Sequence, residues 1–463
     1  MPLKVRKSKA VPKPENLPPV VVIGAGFSGT LLTIHLLRLG ASVVLVERST
    51  AAIGKGLAFG TRRPEHLLNV RAANMSAFPD DPGHFIRWMG FSDREQRNRF
   101  VPRLAYGQYL REQLMAAIAG ATGRIRIVSD TATGIDTNGR QPVVTLAHEP
   151  REVASAVILA AGNLAPSLPE WMGGMAPDTI IADPWIAGAL DRIDHARSVV
   201  IAGSGLTAID VIMSLVSAGH TGRITAISRR GLIPRAHARA GPVTEPIAMP
   251  QQRGASLVKH IRRRARQIGW QAAVDELRPH TQALWRAHDH HSQARLLRHL
   301  KPFWEVHRHR LAPSVEEQLD RLRASGQLRF VAGRLLRAQQ GTSGLEIAYR
   351  PRGHGELHTM PADVVINCTG PEGNLARVAN PLLRDLLAQG LARSDRHRLG
   401  LDVDEHLHLV GGDGRPVRDV YAVGPLTRGG IWEMVAVPDI RVQVWQLARR
   451  LNGKVRSDLV AAQ

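Results

Sequence analysis

Two glycine clusters carry the first chemistry that can be read from this chain. Gly24, Gly26 and Gly29 stand in GAGFSG; Gly203 and Gly205, with Ala208 in the third place, stand in GSGLTA. An apolar strand that ends in such a turn lets a pyrophosphate approach the start of the next helix. Free N–H groups and the helix dipole favour an anion there. Ala25 and Ser28 belong to the first turn. Each turn leads through a helical pattern into a second apolar strand, and the residues that end those strands differ. Glu47 ends the first, close to the roughly 20-residue spacing from which a carboxylate accepts hydrogen bonds from ribose hydroxyls. Ser228, Arg229 and Arg230 end the second. A basic pair there suits a 2′-phosphate and favours NADPH over NADH. One adenine nucleotide with a free ribose plus one nicotinamide nucleotide implies FAD in the first unit and NADH or NADPH in the second.

Further candidates surround these units. Arg48 either touches the adenine side of FAD or is a surface charge. Asn69 and the stretch Asn74-Met75-Ser76 lie in a polar, irregular region, which either runs beside the flavin ring or is plain loop. Gly424 follows the apolar strand of Val420 to Val423 and permits backbone to approach the flavin. Beyond it, Thr427, Arg428, Gly429, Gly430, Trp432 and Glu433 are candidates for the ring pocket. Arg428, Trp432 and Glu433 are the catalytic candidates. Arg428 could face an anionic substrate and Trp432 could wall off water. The competing reading is that Trp432 and Glu433 only pack and cap the C-terminal helix.

The histidines His260, His280, His288, His290, His291, His299, His307 and His309 crowd one basic tract. They lack the HExxH pattern, and arginines alternate with His307 and His309, so no metal site is expected. The tract is read as a solvated helical face, or as a contact to substrate or nucleotide phosphate through Trp304, His307, Arg308 or Arg310. Cys368 is the single cysteine, which excludes a redox CxxC pair and an internal disulfide.

The elements needed to hold these residues define an α/β fold class: two Rossmann-like dinucleotide-binding domains, the second inserted in the first, with a helical insertion. The expected spans are a basic tail at 1–19, the first part of the FAD domain at 20–184, and the NAD(P) domain at 185–345. The basic helical insertion lies at 251–313, and the FAD domain returns at 346–463. At 463 residues and 44% hydrophobic content the chain can bury cores of this size. No apolar run is long enough to cross a bilayer, and cysteine usage fits a reducing cytoplasm. The net charge of +21 raises nucleic acid as a partner. The spread of the basic residues, the absence of a nucleic-acid motif and the 4% aromatic content argue against it. Anionic cofactors and an anionic small-molecule substrate explain the charge better.

GAGFSG, KGLAFG, HLLNVRAANMSAFPDDP, FVPRLAYGQYL, AAGN, the tract from Leu277 to Pro313, and VGPLTRGGIWEMVAVPDIR together resemble a bacterial flavoprotein family, the FAD-dependent urate hydroxylases. The matching pieces span Val20 to Leu451. The resemblance implies an NAD(P)H-driven monooxygenase that uses O₂ to convert urate to 5-hydroxyisourate through a flavin C4a-hydroperoxide. The family's activity is usually written with NADH, against the preference read from Arg229 and Arg230. An FAD-dependent NAD(P)H oxidoreductase without oxygen insertion, or a flavin or NAD(P) sensor, is the alternative.

Overall fold

The computed structural model describes residues 18–193, 196–239, 247–341 and 344–461. The expected basic tail lies outside the described residues apart from Pro18 and Pro19. Val20–Ile23, Val43–Val46 and Ala156–Leu159 are four-residue apolar runs with every side chain buried. That pattern belongs to parallel strands covered on both faces. They pair in parallel with Val20 opposite both Val43 and Ala156. Ile125–Val128 and Pro416–Ala422 extend the parallel sheet on its two sides, and His408–Val410 closes one edge antiparallel. The helices Phe27–Arg38, Arg103–Ala119 and Val437–Ala461 cover one face. A small antiparallel sheet (Ala132–Asp136, Val143–Leu146, Glu152–Val153) and the helix Pro381–Ala388 cover the other.

The second sheet repeats the arrangement with Ser198–Ala202 and Arg223–Ser228 in parallel about the helix Leu206–Ser217. Its order from edge to edge is His358–Ala362, Gly344–Pro351, Leu328–Gly341, Arg223–Ser228, Ser198–Ala202, Val364–Asn367 and Ile180–Ile181. The expected span of 185–345 is therefore too short at both ends. After residue 343, Gly344–Pro351 folds back antiparallel on Leu328–Gly341 and His358–Ala362 pairs antiparallel with Gly344–Pro351, while Val364–Asn367 pairs with Ser198–Ala202 and with Ile180–Ile181. The chain leaves the first sheet after Ala156–Leu159 and rejoins it at His408–Val410 and Pro416–Ala422, so the second unit is inserted in the first.

Between Arg223–Ser228 and Leu328–Gly341 the chain runs through the helices Gly254–Ile268, Trp270–Leu277, Thr281–Arg286, His290–Arg295 and Lys301–Arg308. This segment has a small core of its own in Leu257, Leu277 and Leu284, with Trp304 and Ile261 packed against it. No helix among the described residues is long and apolar enough to cross a membrane.

Candidate functional site

The glycines of the first turn are required for different reasons. Gly24 has φ +103°, and a Cβ there would lie 2.6 Å from the Ala160 carbonyl oxygen. A Cβ on Gly29 would lie 1.8 Å from the Gly24 carbonyl oxygen. Both are demanded by the protein's own packing. Gly26 is not, since the nearest atom to its Cβ position is Gly56 Cα at 3.6 Å. A side chain on Gly26 would fill space over the start of Phe27–Arg38, a helix with no side-chain cap whose first N–H groups stay available to an anion. Glu47 is set against the same turn, accepting from Ala25 N–H at 2.8 Å and Ser49 N–H at 3.1 Å. Ser28 is buried, and its Oγ would lie 2.3 Å from a Cβ on Gly424, so Gly424 lets the returning chain close on this helix. Arg48 is exposed. An uncapped helix, an open cradle and a placed carboxylate fit an FAD diphosphate and ribose.

The second turn repeats this division. Gly203 has φ +129° and its Cβ would meet the Cys368 carbonyl oxygen at 2.3 Å, whereas Gly205 has nothing within 4 Å. Ala208 is fully buried, and the helix Leu206–Ser217 is again uncapped. The arginine pair splits. Arg230 lies over the Phe303 ring at 5.3 Å and donates to the Arg298 carbonyl at 3.3 Å, tying it to the helical insertion. Arg229 is exposed beside it. Cys368 follows the strand Val364–Asn367, and burial raises its thiol far above the usual range.

Each turn follows the carboxyl end of a parallel strand, the place where open α/β sheets bind ligands. Loop 424–436 packs against the helical insertion. Trp432 stacks on Trp285 at 4.4 Å and 18°, and Trp285 Nε1 donates to the Gly429 carbonyl at 3.2 Å. Arg428 is directed elsewhere. Its Nε donates to the Leu399 carbonyl at 2.8 Å and its Nη2 lies 3.5 Å from the Pro371 carbonyl. Thr427 bonds the Gly424 carbonyl and Gln443, shaping the turn.

Glu433 is the most constrained of the catalytic candidates. It is a non-glycine residue at φ +60° with a side chain 7% exposed. Backbone strain of this kind persists only where the surroundings impose it. Its carboxylate accepts from Trp304 Nε1 and from Arg308 Nε at 3.3 Å. Burial raises its pKa, and Arg308 and Trp304 pull the other way. Arg308 also reaches Asp439 at 3.5 Å, and Arg278 meets the same carboxylate at 3.5 Å. Arg441, two residues further along the C-terminal helix, donates to the carbonyls of Ser76 at 2.8 Å and Asn74 at 3.4 Å. Met75 is buried between these elements. The Asn69 carbonyl hydrogen-bonds His237 Nε2 at 3.0 Å, and burial pushes that imidazole down to about 4.

Sequence reasoning missed Trp285, Arg278, Asp439, Arg441 and His237. Asp439 and Arg441 lie in the quoted C-terminal motif, whereas Trp285 and Arg278 carry no signal that separates them from the rest of the basic tract. It also missed the bridge between the units, in which Arg103 pairs with buried Asp210 at 2.8 Å and His66 Nε2 bonds Ser214 Oγ at 2.7 Å. Among the described residues no group of His, Cys, Asp and Glu could hold a metal ion.

Comparison with known proteins agrees with this geometry. Residues 21–164 match the family described as FAD-NAD(P)-binding, which marks this segment as such a domain. No curated protein matches the chain. Among solved structures, the L-lysine 6-monooxygenase of Pseudomonas syringae superposes with TM-score 0.63 at 14% identity, over 94% of this chain and 99% of that one. The reduced ornithine hydroxylase of Pseudomonas aeruginosa gives 0.61 at 14%, over 94% and 99%. The ornithine N-hydroxylase of Kutzneria sp. 744, with reduced FAD, NADP⁺ and L-ornithine, gives 0.60 at 16%, over 95% and 99%. At these identities the likeness establishes the flavoprotein fold: two Rossmann-like dinucleotide-binding units in one chain.

Proposed function

We propose that the protein is an FAD-dependent, NAD(P)H-driven monooxygenase acting on a small molecule, with urate as substrate. The observation that carries the reading is the pair of cradles at Gly26 and Gly205, open at the starts of two uncapped helices. Reduced FAD supplies the oxygen chemistry when bound; the residues of this chain bind, orient and exclude water. The balanced reaction consumes substrate, O₂, NAD(P)H and one proton, and yields hydroxylated product, NAD(P)⁺ and water. The stacked Trp432 and Trp285 shield the insertion–loop junction from water, and such shielding limits wasteful release of peroxide by an oxygen-activating flavin. Glu433, kept dry beside Arg308, is the carboxyl group placed to hold or move a proton at the substrate. Arg229, exposed at the end of its strand, remains available to a 2′-phosphate, which supports NADPH as donor. Urate rests on the motif resemblance across Val20 to Leu451.

A second reading has its own support. The superposed structures are, by name, an ornithine N-hydroxylase, an ornithine hydroxylase and an L-lysine 6-monooxygenase. The alternation of Arg308, Glu433, Asp439 and Arg278 could also receive an amino-acid zwitterion. Oxygen uptake and nucleotide oxidation by the FAD-loaded protein, with NADPH and NADH in turn, separate the readings. Urate is expected to accelerate nucleotide oxidation with one O₂ consumed per NAD(P)H and little peroxide. Acceleration by L-ornithine or L-lysine instead transfers the assignment to N-hydroxylation. Nucleotide oxidation that no substrate couples to oxygen insertion removes the monooxygenase reading.

A further inference from the structure

Arg278 and Arg308 hold more hydrogen-bonding capacity than the protein uses. Each guanidinium carries five N–H donors. Their contacts engage Arg308 Nε with Glu433 at 3.3 Å, Arg308 Nη2 with Asp439 at 3.5 Å and Arg278 Nη2 with Asp439 at 3.5 Å. These distances lie beyond the range of strong charge-assisted hydrogen bonds. Both Nη1 groups and the Nε of Arg278 have no partner among the described residues. None of them is among the buried polar atoms sealed without a partner, so they keep some contact with solvent, where a ligand can reach them. His309, next in the chain to Arg308, is half-buried, and its imidazole makes no hydrogen bond among the described residues. Burial, helped by Arg308, Arg278 and Lys301, pushes its pKa down to about 3. It therefore stays neutral and offers one N–H and one lone pair.

The local charge is unbalanced. Arg278, Arg308 and Arg441 face Glu433 and Asp439, and burial favours the uncharged form of Glu433. The group confronts the Trp432–Asp439 wall of the FAD unit. The nicotinamide nucleotide's diphosphate has its own seat at the Gly203–Gly205 turn, so these arginines are not needed there.

We infer that Arg278, Arg308 and His309 form the seat for the anionic edge of the substrate and take a small planar organic oxyanion. The inference rests on the flavin monooxygenase reading and deepens it. The two arginines supply charge and planar donors, which match a carboxylate or a deprotonated ring oxo group. His309 completes the edge by accepting an N–H or donating to an oxygen.

The test uses the FAD-loaded full chain, with FAD content measured first, and follows the flavin absorbance spectrum during titration. The probes are urate, benzoate and benzamide, the last a neutral isostere of benzoate. Urate and benzoate are expected to give saturable shifts, with benzamide at least about tenfold weaker, the scale of a lost charge-assisted contact. Arg278→Gln should weaken both anions by about tenfold or more, leaving benzamide and FAD content unchanged. Because Arg308→Gln alone would strand Glu433, the second variant pairs Arg308→Gln with Glu433→Gln, and the same selective loss of anions is expected. Equal affinity for benzoate and benzamide, anion affinity unaltered in both variants, or no saturable shift with either anion would each overturn the site. Protein that cannot be loaded with FAD would sink the flavin reading, and the anion seat with it.

Discussion

At the scale of single residues, the two glycine turns contain an internal control. Gly29 and Gly24 are fixed by collisions with the protein's own backbone, but Gly26 and Gly205 are not. Gly26→Val is therefore expected to fold, with apo-protein stability within about 1 kcal/mol of the parent, the range for substitutions that disturb no packing. It should fail to retain FAD, because the side chain occupies the diphosphate's path. Gly205→Val should keep FAD and the yellow colour, but lose nucleotide-dependent reduction. Stability is compared between apo forms, since bound cofactor adds stability by mass action. A Gly26→Val protein that holds stoichiometric FAD removes the first assignment; a Gly205→Val protein reduced by NADPH at the parent rate removes the second.

The element scale shows what the sequence made legible. Strand, glycine turn, helix and strand are contiguous, so local pattern placed Val20–Ile23, Phe27–Arg38 and Val43–Val46 without knowledge of the rest. The returning strands were not placed this way, because the pairing of Gly344–Pro351 with Leu328–Gly341, and of His358–Ala362 with Gly344–Pro351, is settled by register and not by composition. The contacts between the insertion and loop 424–436 were hidden for a related reason. Trp285 meets Trp432, and Trp304 and Arg308 meet Glu433, across more than a hundred residues of chain. Trp432 does pack, as its plainer reading supposed, but its partner is the insertion and not the C-terminal helix. The stack thus joins the insertion to the flavin-side loop. Trp432→Ala removes an aromatic pair of about 0.5–1.5 kcal/mol beyond the area it buries. FAD binding should survive, while peroxide released per NAD(P)H oxidised should rise at saturating urate. Trp285→Ala should act in the same direction, since it breaks the same contact. An unchanged peroxide ratio in both stable variants would make the stack scaffold only.

Across the whole molecule, buried histidines tie stability to pH. Burial pushes His35 and His237 down to about 4 and His309 to about 3, with neighbouring arginines adding to the effect. These sites lie in different parts of the fold. His35 sits in the helix Phe27–Arg38, His237 beside Asn69, and His309 at the end of the insertion. All three are neutral in the folded protein at pH 5.5, while in the unfolded chain they titrate near 6.5. Below that value the unfolded state binds more protons, so stability falls as pH drops from about 6.5 towards 4. The slope is at most roughly 1.4 kcal/mol per pH unit for each histidine. Asp210 and Glu433 act in the opposite sense: burial raises their pKa values, so the folded state takes up protons first. Their relief begins above the ordinary carboxylate range and blunts the lower part of the window. The steepest loss should therefore lie about one pH unit below 6.5. Urea unfolding of the apo protein at pH 7.5, 6.5 and 5.5 is expected to show a midpoint that falls slightly between the first two and clearly further at the third. His35 Nε2 is buried without a partner, so His35→Leu removes both a titrating group and an unsatisfied atom. That variant should lose less stability between pH 6.5 and 5.5 than the parent. Equal midpoints for the parent at pH 7.5 and 5.5 would show that these imidazoles are charged or solvated in the folded state.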